Sequence, residues 1–341
     1  MKESASKYRE VEHDHFYPHD DRGLNGRKVS RVLPLRNFNN WVKSVLISEH
    51  CKPGFTVLDL CCGKGGDLRK YEEARVSFYV GVDSVKESIH HAKQRYDQSS
   101  RSFEAIFLHG DVTDDSTSIS SVVSEHFSLE YDLVSTQFAI NYLTSSEAKF
   151  RAFLGNVAEN LKPGGYFVGT IPDANILVKK LRLKARNLEF GNDYYSIKFN
   201  SDRFPKSAGA FGLKYGFYLE DCVGERRRTP EGLIYEYIPE YLVLPEVFAS
   251  IALDYGLRPE YRRNFHDFYV EKIANHTHQR LFEKMMGRGI SNLDADLWDV
   301  AYLYDVIVLR KEGDFVPPVQ IQHDSKCEGR VLSLKPDTTI D

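Results

Sequence analysis

Cysteine is scarce in this chain: five residues in 341, with three methionines and two tryptophans. Cys51, Cys61, Cys62, Cys222 and Cys327 form neither a disulfide framework nor a zinc pattern, because the one close pair is adjacent and no histidine stands at ligand spacing. All five are expected as reduced thiols, Cys61 and Cys62 acting as small residues in a turn. His13 and His15 have no companion ligands near them, so a solvated segment is expected there and no metal site anywhere. Long apolar runs are also missing. None approaches the roughly 20 residues of a membrane span, and Met1–Asp14 has no apolar stretch of the signal-peptide kind, so no membrane association and an intracellular protein are expected. Neither charge sign dominates: 45 Lys and Arg stand against 49 Asp and Glu, a formal net charge of −4. Without a global basic field, any nucleic acid must be met through a local patch, and a long nonspecific duplex is not the expected partner.

What is present is a chain of ordinary globular composition, 42% hydrophobic and 13% aromatic, long enough to bury a full core. Its most informative stretch is Val57-Leu58-Asp59-Leu60-Cys61-Cys62-Gly63-Lys64-Gly65-Gly66-Asp67. An apolar run, a small-residue turn and an amphipathic segment from Leu68 to about Ala74 read as strand, tight turn and helix. Gly63, Gly65 and Gly66 supply free backbone dihedrals and let a ligand lie against the main chain. Asp83 ends a second apolar run, Phe78–Val82, at the interval from the turn where a carboxylate accepts both hydroxyls of a ribose. Asp59 before the turn and Asp67 in the first helical turn would oppose a pyrophosphate. A sulfonium- and ammonium-bearing cofactor, S-adenosylmethionine, suits an acid-flanked turn better than a dinucleotide does.

The rest of the chain alternates strand and helix. Residues 1–35 are polar and expected as a flexible arm; Leu35–Ile47 reads as a helix with Phe38, Trp41, Val42, Val45 and Leu46 on one face. Its adjacent Asn39 and Asn40 are poor helix formers, better explained by a contact than by stability. Strands are expected at 56–60, 78–83, 103–108, 131–136 and 166–171, and helices at about 67–75, 85–96, 116–126 and 145–160. Such alternation implies an α/β, doubly wound parallel sheet with ligands at the strand C-terminal ends. Asp83, Asp111 and Ser135-Thr136-Gln137 stand at three of those ends. Asp111 is placed to accept an adenine amino group, with a helix N-cap as the alternative. Phe138 and Tyr142 beyond the fourth strand are core residues or flat faces for a planar substrate.

Leu161–Gly165 is read as a turn before the fifth strand, and Lys179, Lys180, Arg182, Lys184 and Arg186 as a solvated helix face or a phosphate contact. Between about 187 and 245 the pattern turns to period two, with strands at 195–199 and 214–219 and Arg226-Arg227-Arg228 in a loop: a β-rich substrate-binding insertion. A helix at 246–256, a final edge strand at 301–309 and a tail at 312–341 complete the reading.

Five motifs in order now carry a resemblance: Arg36–Lys43 (RNFNNWVK), Leu58–Leu68 (LDLCCGKGGDL), Ser135–Tyr142 (STQFAINY), Gly169–Asn175 (GTIPDAN) and Pro239–Val243 (PEYLV). Over roughly residues 20–311 the chain resembles the eukaryotic messenger-RNA cap guanine-N7 methyltransferases. The resemblance implies a class I methyltransferase (Rossmann-like) fold with a seven-stranded sheet, a catalytic domain at 36–311, S-adenosyl-L-methionine as methyl donor and the 5′-terminal guanosine of capped RNA as acceptor. It also implies nuclear residence, with other capping enzymes or the RNA polymerase II machinery as partners. By matching position, Lys43, Cys61, Asp83, Asp111, Gln137 and Tyr142 are similar to the family's cofactor contacts. Asn39, Asn40, Lys64, Lys70, Arg95, Asn141, Glu240 and Tyr304 are similar to its cap contacts. Elementary chemistry agrees. Lys64, Lys70 and Arg95 are cations that a triphosphate bridge needs, Glu240 can accept from the N1 and amino donors of guanine, and Phe138 and Tyr142 are flat enough for a base.

The chain departs from the family in carrying Cys61 where Gly or Ala is usual, which requires ordinary dihedrals at Cys61, and Asn141 where His is usual, which implies weaker cap binding. Its 224–237 loop is also longer than the family's, with three arginines placed to extend contact along an RNA. Guanine N7 has an in-plane lone pair and no proton, so no catalytic acid or base is expected; positioning and electrostatics suffice. The rivals are a class I methyltransferase for another small molecule or protein, which leaves Lys64, Lys70 and Glu240 without a shared purpose, and a cap-binding protein without transfer activity, which need not keep Lys43, Asp83 and Asp111.

Overall fold

The computed structural model describes residues 30–114, 119, 122, 130–185, 187–204, 209–230, 232–287, 293–313 and 328–334. The chain divides into two compact units. One comprises the described residues up to Val42 with Pro172–Leu244 and Asn264–Asp305; the other comprises Lys43–Ile171, Pro245–Arg263 and the described residues from Val306 onward.

The second unit is built on β1 (Thr56–Leu60), β2 (Phe78–Asp83), β3 (Glu104–His109), β4 (Tyr131–Gln137) and β5 (Leu161–Pro172). With β12 (Leu257–Asn264), β13 (Tyr304–Lys311) and β14 (Glu328–Ser333) they form one sheet in the order β12-β13-β5-β4-β1-β2-β3-β14. β1 pairs in parallel with β2 and β4, and the β2–β3, β4–β5 and β3–β14 pairs are parallel as well. Every residue of β1 and β2 is buried, as expected of parallel strands covered on both faces, which is why they read as near-continuous apolar runs. The helix Lys86–Asp97 follows β2 and buries Ile89, Ala92 and Tyr96 against β2, β3 and β14.

The doubly wound α/β sheet is present with eight strands rather than seven, the extra one coming from residues beyond 312. β13 is an interior strand between β12 and β5, not an edge. Leu161–Gly165 is no turn: Leu161 already pairs with Tyr131, and a register shift between Tyr131 and Leu133 absorbs Pro163 and Gly164. The helix expected at 116–126 lies almost entirely outside the described residues, as do the N-terminal arm to residue 29, Cys327, Arg186 and the Lys184 side chain.

In the other unit, β6 (Glu189–Gly191), β7 (Tyr195–Phe199), β8 (Lys214–Leu219) and β11 (Ile238–Tyr241) form an antiparallel sheet in the order β11-β8-β7-β6. Phe190, Phe199 and Tyr215 stack along one of its faces. Arg226-Arg227-Arg228 lie in a strand, not a loop: β9 (Glu225–Thr229) pairs with β10 (Gly232–Glu236) as a hairpin. Arg226 meets Glu220 at 3.2 Å and Arg227 meets Glu225 at 2.8 Å, so two of the three arginines already have carboxylates. Phe38 and Trp41 of the helix Leu33–His50 pack into an aromatic cluster with Phe265, Tyr269, Phe282 and Trp298. The helix Ala174–Lys184 keeps Lys179 and Arg182 exposed but buries Lys180 in an ion pair with Asp299, so that basic run is only partly a solvated face. Among the described residues no helix is long and apolar enough to cross a membrane.

Candidate functional site

The C-terminal ends of β4, β1, β2 and β3 lie side by side, and neighbouring strands in such a sheet are about 4.8 Å apart. Cys61 and Cys62 follow β1, Asp83 ends β2, Gly110 and Asp111 follow β3, and Gln137 and Phe138 close and follow β4. The sheet thereby gathers on one rim groups that are separated by up to 77 positions in the chain.

The turn after β1 is held by Asp83. Its Oδ2 accepts from the Gly63 N–H at 2.8 Å and its Oδ1 from the Val85 N–H at 2.9 Å. A carboxylate oxygen can accept more than one hydrogen bond. Gly63 and Gly65 sit at φ 54° and 68°, the left-handed region. A Cβ at Gly65 would also fall 2.7 Å from Leu68 Cδ1 and 3.1 Å from the Ala92 Cα. That glycine therefore serves helix packing as well as ligand approach. At Gly66 an added Cβ would find only the Arg95 guanidinium, 3.9 Å away, which places that cation beside the turn.

Cys61 does not have the ordinary dihedrals expected of it: φ is 61°. A side chain in this conformation costs roughly 1–2 kcal/mol, the reason Gly is favoured there. Burial and the neighbouring Asp83 and Asp111 carboxyls push its thiol well above the usual cysteine range, which disfavours the thiolate. Phe138 also has a left-handed backbone, φ 57°, with its N–H donating to Thr170 Oγ1 at 2.9 Å. A bulky residue rarely adopts this conformation, and such outliers cluster at functional sites.

Two acids behave differently from what their charges alone suggest. Asp67 does not present free negative charge: Lys43 Nζ is 2.7 Å and Lys70 Nζ 2.6 Å from its Oδ1. Burial by itself would raise this carboxyl, but the two ammonium groups outweigh it and hold Asp67 below the usual range. Asp59 is 2% exposed and accepts from the Tyr79 hydroxyl at 3.0 Å. Burial, reinforced by Asp67, pushes it up to about 8, so it is mostly neutral at pH 7. Repulsion of a pyrophosphate by these two acids is accordingly weaker than the sequence suggests, and Gly65 and Asp83 carry the cofactor argument instead. Burial, and secondarily Lys43, also lowers Lys70. Lys43 Nζ lies 5.9 Å from the Phe138 ring centroid, joining the ion cluster to the β4 rim.

The remaining positions fall as follows. Lys64 is half-buried in the turn and Tyr142 half-buried in the short helix Ile140–Leu143. Asp111 Oδ1 accepts from both Thr113 N–H and Oγ1, a local turn close to the N-cap alternative. The Gln137 amide donates to Ser135 Oγ at 3.1 Å, while its buried Oε1, like Asn141 Oδ1, has no partner among the described residues. Buried acceptors without donors are costly, and a bound ligand with N–H groups satisfies them. With the glycine turn, Gln137 Oε1 fits S-adenosylmethionine. In the other unit Asn39 and Asn40 are half-buried, and Asn39 Oδ1 is a buried acceptor without a partner among the described residues. Glu240 is 3% exposed and accepts from the Tyr215 hydroxyl at 2.6 Å. Tyr304 is buried nearby in the same unit, its hydroxyl pushed well up by burial and by Glu240.

Compared with known proteins, residues 1–312 match the model of the mRNA (guanine-N(7))-methyltransferase domain. The chain belongs to the mRNA cap guanine-N7 methyltransferases. It is 37% identical to mRNA cap guanine-N(7) methyltransferase 1 of Oryza sativa subsp. japonica, covering 95% of this chain and 86% of that one. It is 38% identical to the Arabidopsis thaliana protein of that name (88% and 81% covered) and 32% identical to the mRNA cap guanine-N(7) methyltransferase of Saccharomyces cerevisiae (87% and 68%). Among solved structures, the CcbJ methyltransferase from Streptomyces caelestis superposes with a TM-score of 0.50 at 12% identity, over 81% of this chain and 90% of that one, a likeness of fold alone. The class I fold and the use of S-adenosyl-L-methionine are thus those of the family.

Three supporting groups carry no sequence signal: Tyr79 reads only as a strand residue, Thr170 as part of a strand motif, and Tyr215 as a period-two aromatic. Nothing in sequence spacing connects them to Asp59, Phe138 or Glu240.

Proposed function

We propose the following division of labour for a methyl transfer from S-adenosyl-L-methionine to N7 of the 5′-terminal guanosine of capped mRNA. Bound at the rim, the cofactor supplies an electrophilic methyl group. Asp83 accepts from its ribose, Asp111 from its adenine amino group, and Gln137 Oε1, Lys43, Tyr142 and the Cys61–Gly66 backbone complete its cradle. Lys64, Lys70 and Arg95 meet the triphosphate bridge; Lys70 does so from a preformed ion cluster, which limits its swing and keeps it oriented. Phe138 offers the base a flat face on a strained backbone that holds the ring still.

Glu240, Asn39, Asn40, Asn141 and Tyr304 read the guanine. Glu240 suits the task because the Tyr215 hydroxyl orients its carboxylate, an acceptor matched to the N1 and amino donors of guanine. No residue takes a proton, since N7 has none to lose. On this reading residues 36–311 are the catalytic domain, about 187–245 its substrate-binding insertion, and the protein acts in the nucleus beside other capping enzymes or the RNA polymerase II machinery.

The observation that carries the proposal is the convergence of the glycine turn, Asp83, Asp111 and Gln137 on one rim in a chain whose residues 1–312 match this family. The test is incubation with methyl-labelled S-adenosylmethionine and GpppA-capped acceptors, and Glu240→Gln alongside the wild type. Label on guanine N7, lost by roughly 100-fold in Glu240→Gln with cofactor affinity unchanged, supports it. Label elsewhere refutes the acceptor, and an equal loss of cofactor binding refutes the role of Glu240.

A further inference from the structure

Family likeness by the domain model ends at residue 312, yet β14 lies beyond it and reaches the cofactor rim. β14 pairs in parallel with β3 from Glu328↔Ala105 to Ser333↔His109, with one bulge after Glu328. The next residue, Leu334, donates its N–H to His109 O at 2.9 Å and is 4% exposed. On the opposite side Gly110 donates its N–H to Asp83 O at 3.0 Å. The segment leading into Asp111 is therefore tied to β2 on one flank and to the C-terminal strand on the other.

Leu334 is seated directly on Gly110. A Cβ at Gly110 would run into Leu334 Cδ1 and fall 2.6 Å from both its Cβ and Cγ, so no larger residue is accommodated without displacing the leucine. Gly329, at φ +63°, lets the start of β14 lie against Lys93, Tyr96 and Asp97 of the helix Lys86–Asp97. A strand anchored at both ends in this way lends its rigidity to the loop it touches.

We infer that the C-terminal strand is a positioning element of the cofactor site: Leu334, packed on Gly110, sets where Asp111 presents its carboxylate to the adenine amino group. This rests on the reading of Asp111 given above. Leu334 is a positioning residue and touches neither substrate. The strand thus ties adenine recognition to a segment outside the matched domain.

The test uses the full-length protein and direct calorimetric binding of two donors: S-adenosylmethionine, and its analogue with hydrogen in place of the adenine 6-amino group. Wild type, Leu334→Ala, Gly110→Ala and Asp111→Asn are compared. Leu334→Ala and Gly110→Ala are each expected to weaken S-adenosylmethionine roughly tenfold, about half of a charged hydrogen bond's worth, while weakening the analogue little and leaving KM for capped RNA unchanged. Lower thermal midpoints with wild-type affinity, or equal weakening of both donors, overturn the inference whenever Asp111→Asn itself discriminates between the donors. If Asp111→Asn weakens both donors equally, the reading of Asp111 fails and this inference falls with it.

Discussion

Replacing Asp59 by Asn should make the protein less sensitive to rising pH. This carboxyl titrates near 3.8 when unperturbed and only at about 8 in the fold, raised by burial and by the Asp67 carboxylate. Between those values the folded chain holds a proton that the unfolded chain has lost, so rising pH favours unfolding. The penalty is absent below the unfolded value and complete above the folded one. Linkage at 1.36 kcal/mol per pH unit makes it about 2 kcal/mol at pH 5, about 4 at pH 7 and about 5 at pH 8. Asn keeps an oxygen for the Tyr79 hydroxyl and cannot ionise, but its amide protons need acceptors in a strand with every residue buried, a pH-independent cost of about 1–3 kcal/mol. Urea denaturation of both proteins from pH 5 to 8 isolates the titrating part, because the constant cost cancels in the slope. The stability of Asp59→Asn relative to wild type should rise by about 3–4 kcal/mol across that range. Parallel curves would show that Asp59 ionises normally and that its neutrality in the fold is mistaken.

Asp67→Asn leaves the Lys43 and Lys70 ammonium groups facing each other without their shared carboxylate, and should cost about 3–5 kcal/mol in chemical denaturation; a loss under 1 kcal/mol contradicts the ion cluster. Cys61→Gly relieves a left-handed side chain but adds unfolded-state entropy, for a net change within about 1 kcal/mol of zero, and wild-type Cys61 should react with a disulfide reagent at pH 8 far more slowly than a free thiol. Rapid labelling of Cys61, followed by mass spectrometry, would contradict its raised pKa. Gly65→Ala combines a positive φ with a 2.7 Å approach to Leu68, and should lower stability by about 2 kcal/mol or more and weaken cofactor binding in the same calorimetric assay. Wild-type behaviour in both would mean that the turn adapts.

Much of the sheet unit was legible because its signals are local. The runs 56–60 and 78–83 became β1 and β2 residue for residue, since a strand buried on both faces must be continuously apolar. The glycine turn and Asp83 were legible for the same reason: their spacing is set by one strand–turn–helix–strand unit. The charge of Arg226–Arg228 suggests a loop, whereas backbone pairing with β10, whose Tyr235 packs on Tyr218, makes them one side of a hairpin. β14 was invisible because Glu328–Ser333 mixes polar and apolar residues, and only an existing edge at β3 gives it something to pair with.

By itself the sequence determined the parallel α/β sheet, the glycine turn with the acid at the end of the next strand and, through five ordered motifs, the family. Tertiary structure alone decided the charge states and strains. Asp59 is mostly neutral at pH 7 because it is buried near the Asp67 carboxylate, and Asp67 is charged because it lies between two ammonium groups. Cys61 is strained at φ 61° in a turn whose Gly63 N–H is bound by Asp83 of the neighbouring strand. Residue type specifies which groups can ionise or bend; the dielectric, the partners and the dihedrals they meet are properties of distant segments brought together by folding.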